Sequence, residues 1–151
     1  MKKIFILLFF IVTSCGYQPI YKADKNRIEI KVGEVEFIGN KELGREIYST
    51  LGIKTIANNK SLEKLILDSK KNIIETSKNS KGQVISYQIF ISVKLSFFDI
   101  DNNLSREKTF SKDFSYNVQE NKFKFKKHQV DIENNLKNKI IEDINIYFNF
   151  K

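Results

Sequence analysis

Alternation of apolar and polar positions marks most of this chain, and the element changes where the period changes. From Ile85 the odd positions are Ile85, Tyr87, Ile89, Ile91, Val93, Leu95 and Phe97; the even ones are Ser86, Gln88, Phe90, Ser92, Lys94, Ser96 and Phe98. A period of two over that length predicts one long strand with a buried face and a mostly polar face. Asp101-Asn102-Asn103 marks a turn. In the strand that follows, Phe110, Phe114, Tyr116 and Val118 alternate with Thr109, Ser111, Asp113, Ser115 and Asn117. A four-residue spacing then takes over, and Ile132, Leu136, Ile140, Ile144 and Phe148 predict a long amphipathic C-terminal helix.

The same logic orders the first half. Residues 27–38 (RIEIKVGEVEFI) predict a strand in which Ile28, Ile30 and Val32 share a face while Val35 and Phe37 continue on the opposite parity. The slip falls at Gly33-Glu34, where a bulge would restore one buried face. Gly39-Asn40 predicts a turn and a helix N-cap, with Glu42 in the first turn where the helix dipole favours an acid. Leu43, Ile47 and Leu51 share one helix face, and Gly52 can close the helix. Asn58-Asn59 punctuates, and a second strand is expected around residues 62–75. The predicted order is β-α-β-β-β-α, with a crossover between parallel strands followed by an antiparallel meander. Each strand has one apolar face, so both helices are expected on one side. The expected fold is a two-layer α/β (α+β) sandwich: a four-stranded mixed sheet, two helices on one face, and an open, hydrophilic second face.

The N-terminus follows a different pattern. Lys2 and Lys3 precede an unbroken apolar run, residues 4–12, which is too short to cross a bilayer core needing about 20 apolar residues. It fits the apolar region of a signal peptide. Val12-Thr13-Ser14-Cys15 resembles the lipobox of bacterial lipoproteins, with Val12 where Leu is commoner. Cys15 is the only cysteine in the sequence. It can form no internal disulfide, and diacylglycerol on its sulfur gives it a role. The alternative is an ordinary secreted chain whose cysteine follows its signal. Each acyl methylene buried in lipid contributes roughly 0.8 kcal/mol, so several chains make a stable anchor. Gly16 lacks the Asp that retains such proteins at the inner membrane. The expected organisation is a cleaved signal at 1–14, a lipidated tether at 15–26 and a single sandwich domain at 27–151, on the periplasmic side of the outer membrane.

The opening Cys15-Gly16-Tyr17-Gln18-Pro19-Ile20-Tyr21 closely resembles that of the LPS-assembly lipoprotein family (LptE), especially the Cys-Gly-aromatic-x-Pro-aliphatic-Tyr start of its alphaproteobacterial members. The element order is also similar to that family's, whose mixed four-stranded sheet is backed by two helices. The resemblance implies a role as plug and assembly partner, one-to-one, of the LptD outer-membrane barrel during lipopolysaccharide transport. A plug in a water-filled lumen needs a hydrophilic face, and Ser86, Gln88, Ser92, Lys94, Ser96, Thr109, Ser111, Ser115 and Asn117 would supply one. They would equally suit a face turned to periplasmic water. Phe90 and Phe98 interrupt that face and, with Lys94, are the candidate barrel contacts; the two rings could instead cover the sheet edge.

The formal net charge is +8, and signal cleavage would remove two lysines and no acid. Anionic partners are favoured, although abundant Lys, Asn and Ile beside only Arg27, Arg45 and Arg106 is also what an AT-rich coding bias produces. Lys70, Lys71, Lys78 and Lys81, expected to flank the connection between strands two and three, are candidate lipopolysaccharide-binding residues. Lys122, Lys124, Lys126 and Lys127 form a second group expected just before the last helix. Phe123-Lys124-Phe125-Lys126-Lys127 interleaves rings and bases as single-strand nucleic-acid binders do, but export argues against that partner, and a strand-like approach to the final helix is expected there. With His128 the only histidine, no zinc set can be assembled. Asp99-Ile-Asp101-Asn-Asn103 fails as a calcium loop because Leu104 and Phe110 stand where Gly and a bidentate Glu are required. No motif for nucleophilic catalysis is present, so neither enzymatic activity nor a cofactor beyond the Cys15 lipid is expected. The alternative function is a freestanding periplasmic lipoprotein that binds another envelope complex or a small ligand.

Overall fold

A computed structural model of the chain describes residues 30–57, 59 and 61–149. The expected signal at 1–14, Cys15, the expected tether at 15–26 and residues 27–29 of the first expected strand lie outside them. In chain order the elements are β1 (Lys31–Val32), β2 (Glu34–Gly39), α1 (Lys41–Leu51), β3 (Lys54–Thr55), β4 (Lys64–Lys78), β5 (Val84–Phe98), β6 (Leu104–Asn117) and α2 (Lys122–Asn149). The main sheet has the order β2-β4-β5-β6; β2 and β4 are parallel, and β4-β5 and β5-β6 are antiparallel. Both helices pack on one face, as the single apolar face of each strand requires.

Gly33 separates β1 from β2, so the first expected strand is two strands and not one bulged strand. β1 leaves the main sheet and pairs in parallel with β3, a two-residue strand that the apolar pattern does not mark. Gly33 N–H donates to the Glu63 carbonyl at 2.9 Å, and a Cβ at this position would meet the Asn59 carbonyl oxygen at 2.7 Å. Only glycine lets the chain pass so close to the segment entering β4. Val32 turns inward and is fully buried.

The β2-α1 turn is built around Ser69 of β4, which is fully buried. Its carbonyl accepts from Asn40 N–H at 2.7 Å and its Oγ donates to the Asn40 carbonyl at 2.8 Å. Asn40 Oδ1 then caps α1 by accepting from Leu43 N–H at 3.1 Å. At the other end Gly52 adopts φ 69°, closing the helix in the left-handed conformation. Leu43, Ile47 and Leu51 face the sheet, with Gly44 beside them at the closest approach.

β4 and β5 pair from Lys64↔Phe98 to Lys78↔Val84, whereas β2 covers β4 only from Lys64 to Ser69. β4 thus starts two residues later and ends three later than the 62–75 expected. Leu65, Leu67, Ile89, Ile91, Val93, Leu95, Phe97 and Phe110 form the sheet's contribution to the core, against Ile47, Ile132, Leu136, Ile140 and Ile144 from the helices. Each such side chain contributes about 1.5–3 kcal/mol when fully buried. Ile85 and Val118 follow the strand pattern but lie beyond the helix cover and are exposed.

α2 begins at Lys122, ten residues before the first position of the four-residue apolar pattern. The run from Phe123 to Lys127 is therefore helical and not strand-like, and its lysines lie inside the helix and not before it. Asn121 Oδ1 caps the start by accepting from Lys124 N–H at 3.0 Å. Phe125 packs 6.0 Å from both Tyr87 and Tyr116, tying this end of the helix to the sheet. A tertiary anchor, absent from the local pattern, extends the helix.

Candidate functional site

The pleat puts the even residues of β4 and β5 and the odd residues of β6 on the face away from the helices. Across the sheet this gives rows such as Asp68-Lys94-Thr109, Lys70-Ser92-Ser111, Asn72-Phe90-Asp113 and Ile74-Gln88-Ser115. The candidate contacts Phe90, Lys94 and Phe98 thus share this face. Phe90 is 39% exposed and Phe98 half-buried. They stand eight residues apart on β5, roughly 26 Å along the strand, with Lys94 midway.

The face is polar, and several of its polar groups are paired with one another. Gln88 Nε2 donates to Asp113 Oδ2 at 2.7 Å. Ser96 Oγ donates to Glu107 Oε2 at 2.9 Å, and Lys94 Nζ lies 3.4 Å from the same oxygen. The Ser96 hydroxyl first, and Lys94 second, hold the Glu107 carboxyl below its ordinary pKa, against the opposing effect of desolvation. Lys64 Nζ lies 2.9 Å from Glu36 and 3.6 Å from Glu34; the bond to Glu36 is the main cause of its raised pKa. The acids Glu107 and Asp68 were not singled out by sequence reasoning, although the alternation that placed Thr109, Ser111 and Asp113 places Glu107 beside them. Such a face offers neutral and mixed-charge hydrogen bonding with one exposed ring, Phe90, and one half-buried ring, Phe98.

The four candidate lipopolysaccharide-binding lysines are not gathered in one patch. Lys70 and Lys71 stand in the middle of β4, away from the β4-β5 connection, because β4 is long enough to carry them into the sheet. Alternation sends them to opposite faces. Lys70 lies on the open face, 3.9 Å from Asp68, and Lys71 reaches Glu133 of α2 at 2.9 Å on the helix face. Lys78 pairs with Glu75 at 3.0 Å at the strand end. Lys81 occupies the hairpin turn, where its N–H donates to Asn79 Oδ1 at 3.0 Å. Only Lys78 and Lys81 belong to the hairpin end, which they share with Lys122, Lys124, Lys126 and Lys127.

No family model matches this chain, and no curated protein matches it. Solved structures do. Rare lipoprotein B from Shewanella oneidensis is 14% identical, with 73% of this chain and 86% of that one covered at a TM-score of 0.48. A lipoprotein from Caulobacter crescentus CB15 is also 14% identical, covering 76% and 86% at 0.48. A minor lipoprotein from Acinetobacter baumannii is 16% identical, covering 80% and 87% at 0.47. All three structures carry lipoprotein names.

A broad cleft of about 640 Å³ opens at the end of the sheet opposite the β4-β5 hairpin, with Gly33, Thr55, Lys64 and Ile100 among its lining; Lys64 is engaged by Glu34 and Glu36. Among the described residues no group of three or more His, Cys, Asp or Glu is placed to hold a metal ion. The Asp99 carboxylate is used locally, accepting from the N–H groups of Asp101 and Asn103 at 3.0 and 2.8 Å in the β5-β6 turn. No described helix is long and apolar enough to cross a membrane.

Proposed function

We propose that this chain is a lipid-anchored outer-membrane protein, carried by Cys15 on the periplasmic side, that plugs the LptD barrel and assists its assembly for lipopolysaccharide transport. The observation that carries the reading is the Cys15–Tyr21 opening joined to a sandwich whose second sheet face is open and polar. On this reading the open face meets the barrel wall, with Phe90, Lys94 and Phe98 as contacts. Its hydroxyl, amide and mixed-charge groups suit a wet lumen, where direct and water-mediated bonds are of similar strength. The exposed Phe90 ring and the half-buried Phe98 ring give the interface its apolar anchors.

Co-expression with the LptD-like barrel of the same genome, solubilisation of outer membranes and a pull on a C-terminal tag test this. A stable one-to-one complex, with crosslinks from Phe90, Lys94 and Phe98 to the barrel, is expected. A folded barrel that never comes down with the chain sinks the reading, and the freestanding lipoprotein becomes the better account.

A further inference from the structure

Lysines are not treated alike across this molecule. Lys64, Lys71, Lys94, Lys112 and Lys137 each face a carboxylate of another element. At the end formed by the β4-β5 hairpin and the first turns of α2, Lys81, Lys122, Lys124, Lys126 and Lys127 are exposed, and none forms an ion pair among the described residues. Four of them occupy the first two turns of α2, which has no acid in its first turn. That is the positive end of the helix dipole, where cations oppose local stability. The arrangement is unfavourable for the isolated fold, which points to a use outside it.

Apolar side chains are exposed at the same end. Phe123, between Lys122 and Lys124, is 79% exposed, the most exposed large apolar side chain among the described residues. Its helix is held in place by Phe125 against Tyr87 and Tyr116, so the ring projects from a fixed support. Ile85 and Val118, joined by Val118 N–H donating to the Ile85 carbonyl at 2.9 Å, are also exposed.

We propose that this end of the molecule docks on an anionic phospholipid leaflet, with Phe123 entering the headgroup-acyl boundary and the surrounding lysines pairing with headgroup phosphates. A projecting ring ringed by cations matches a bilayer interface, which offers phosphate and hydrocarbon within one shallow layer. A folded acidic protein would satisfy the lysines but would need a dedicated pocket for the ring. The inference does not rest on the barrel reading, because it uses an end of the molecule and not the open sheet face.

The sequence contains no tryptophan, so Phe123→Trp introduces a single reporter at an exposed position. The full chain carrying it is reconstituted into vesicles of phosphatidylcholine alone, with phosphatidylglycerol, or with lipopolysaccharide, each containing brominated lipid. Any anchor at Cys15 is common to all three, so differences report the position of residue 123. Quenching at least about threefold stronger with phosphatidylglycerol than with phosphatidylcholine alone is expected, since basic residues are drawn to anionic leaflets. Reversing Lys122, Lys124, Lys126 and Lys127 to Glu should abolish that gain while the far-ultraviolet spectrum stays native, because a helix start accepts acids. Equal quenching in the first two vesicles, a gain seen only with lipopolysaccharide, or a gain that survives charge reversal would each overturn the proposal.

Discussion

Lys137 Nζ of α2 lies 2.6 Å from Glu46 Oε1 of α1, and this ion pair joins the two helices across the top of the core. The partners are unequal: the Lys137 side chain is 10% exposed and that of Glu46 53%. Removing Glu46 strands a nearly buried ammonium, whereas removing the ammonium leaves a carboxylate that water can reach. Glu46→Ala is therefore expected to cost about 1–3 kcal/mol, and Lys137→Met, which keeps the packed stem, under about 1 kcal/mol. Urea unfolding of both variants checks this, and a Lys137→Met loss larger than that of Glu46→Ala contradicts it.

Gly44 sits where α1 comes closest to the sheet. An added Cβ would lie 3.0 Å from Ser69 Oγ, 3.1 Å from Leu67 Cδ2 and 3.2 Å from Phe37 Cδ1. Alanine in an exposed helix interior gains about 1 kcal/mol over glycine. Here three neighbours on two strands must all give way, and overpacking of this kind costs about 1–3 kcal/mol. Gly44→Ala is expected to lower the melting temperature, and a rise would show that α1 can lift off the sheet freely.

Glu107 should titrate below an ordinary glutamate because Ser96 and Lys94 favour its charged form. A depressed native pKa adds stability that is fully present above the unfolded value near 4.3 and fades as pH falls through the lower native value. Carboxyl carbon resonances followed against pH should give a low Glu107 midpoint that moves upward in Ser96→Ala. An unchanged midpoint in that variant would remove the hydroxyl as the principal cause.

At the start of α2 the charges oppose the helix dipole. Lys122→Glu or Lys124→Glu should therefore stabilise the fold by about 0.3–1 kcal/mol each. Thermal unfolding at low salt is the measurement, since screening weakens the effect. A destabilised variant would mean that these lysines hold the native helix in place.

β5 and α1 were legible because each is specified by neighbours in sequence. Alternation over residues 85–97 aligns a whole strand, and Asn40, Glu42, Leu43, Ile47, Leu51 and Gly52 supply cap, dipole, face and stop for one helix. The start of α2 was not legible, because Phe125 is helical through its packing on Tyr87 and Tyr116, which are distant in sequence. Nor did the charge pattern tell Lys70 from Lys71, neighbours in sequence that the pleat sends to opposite sides of the sheet.

The amino-acid sequence by itself determined the order β-α-β-β-β-α, the parity of the strands and hence which side of the sheet the helices cover. Those features depend on periodicity and on caps within a few residues. Tertiary structure alone decided that β1 leaves the main sheet to join β3, that α2 begins at Lys122, and which lysines find carboxylates. Each of those outcomes depends on a partner many residues away, and only the folded packing brings such partners together.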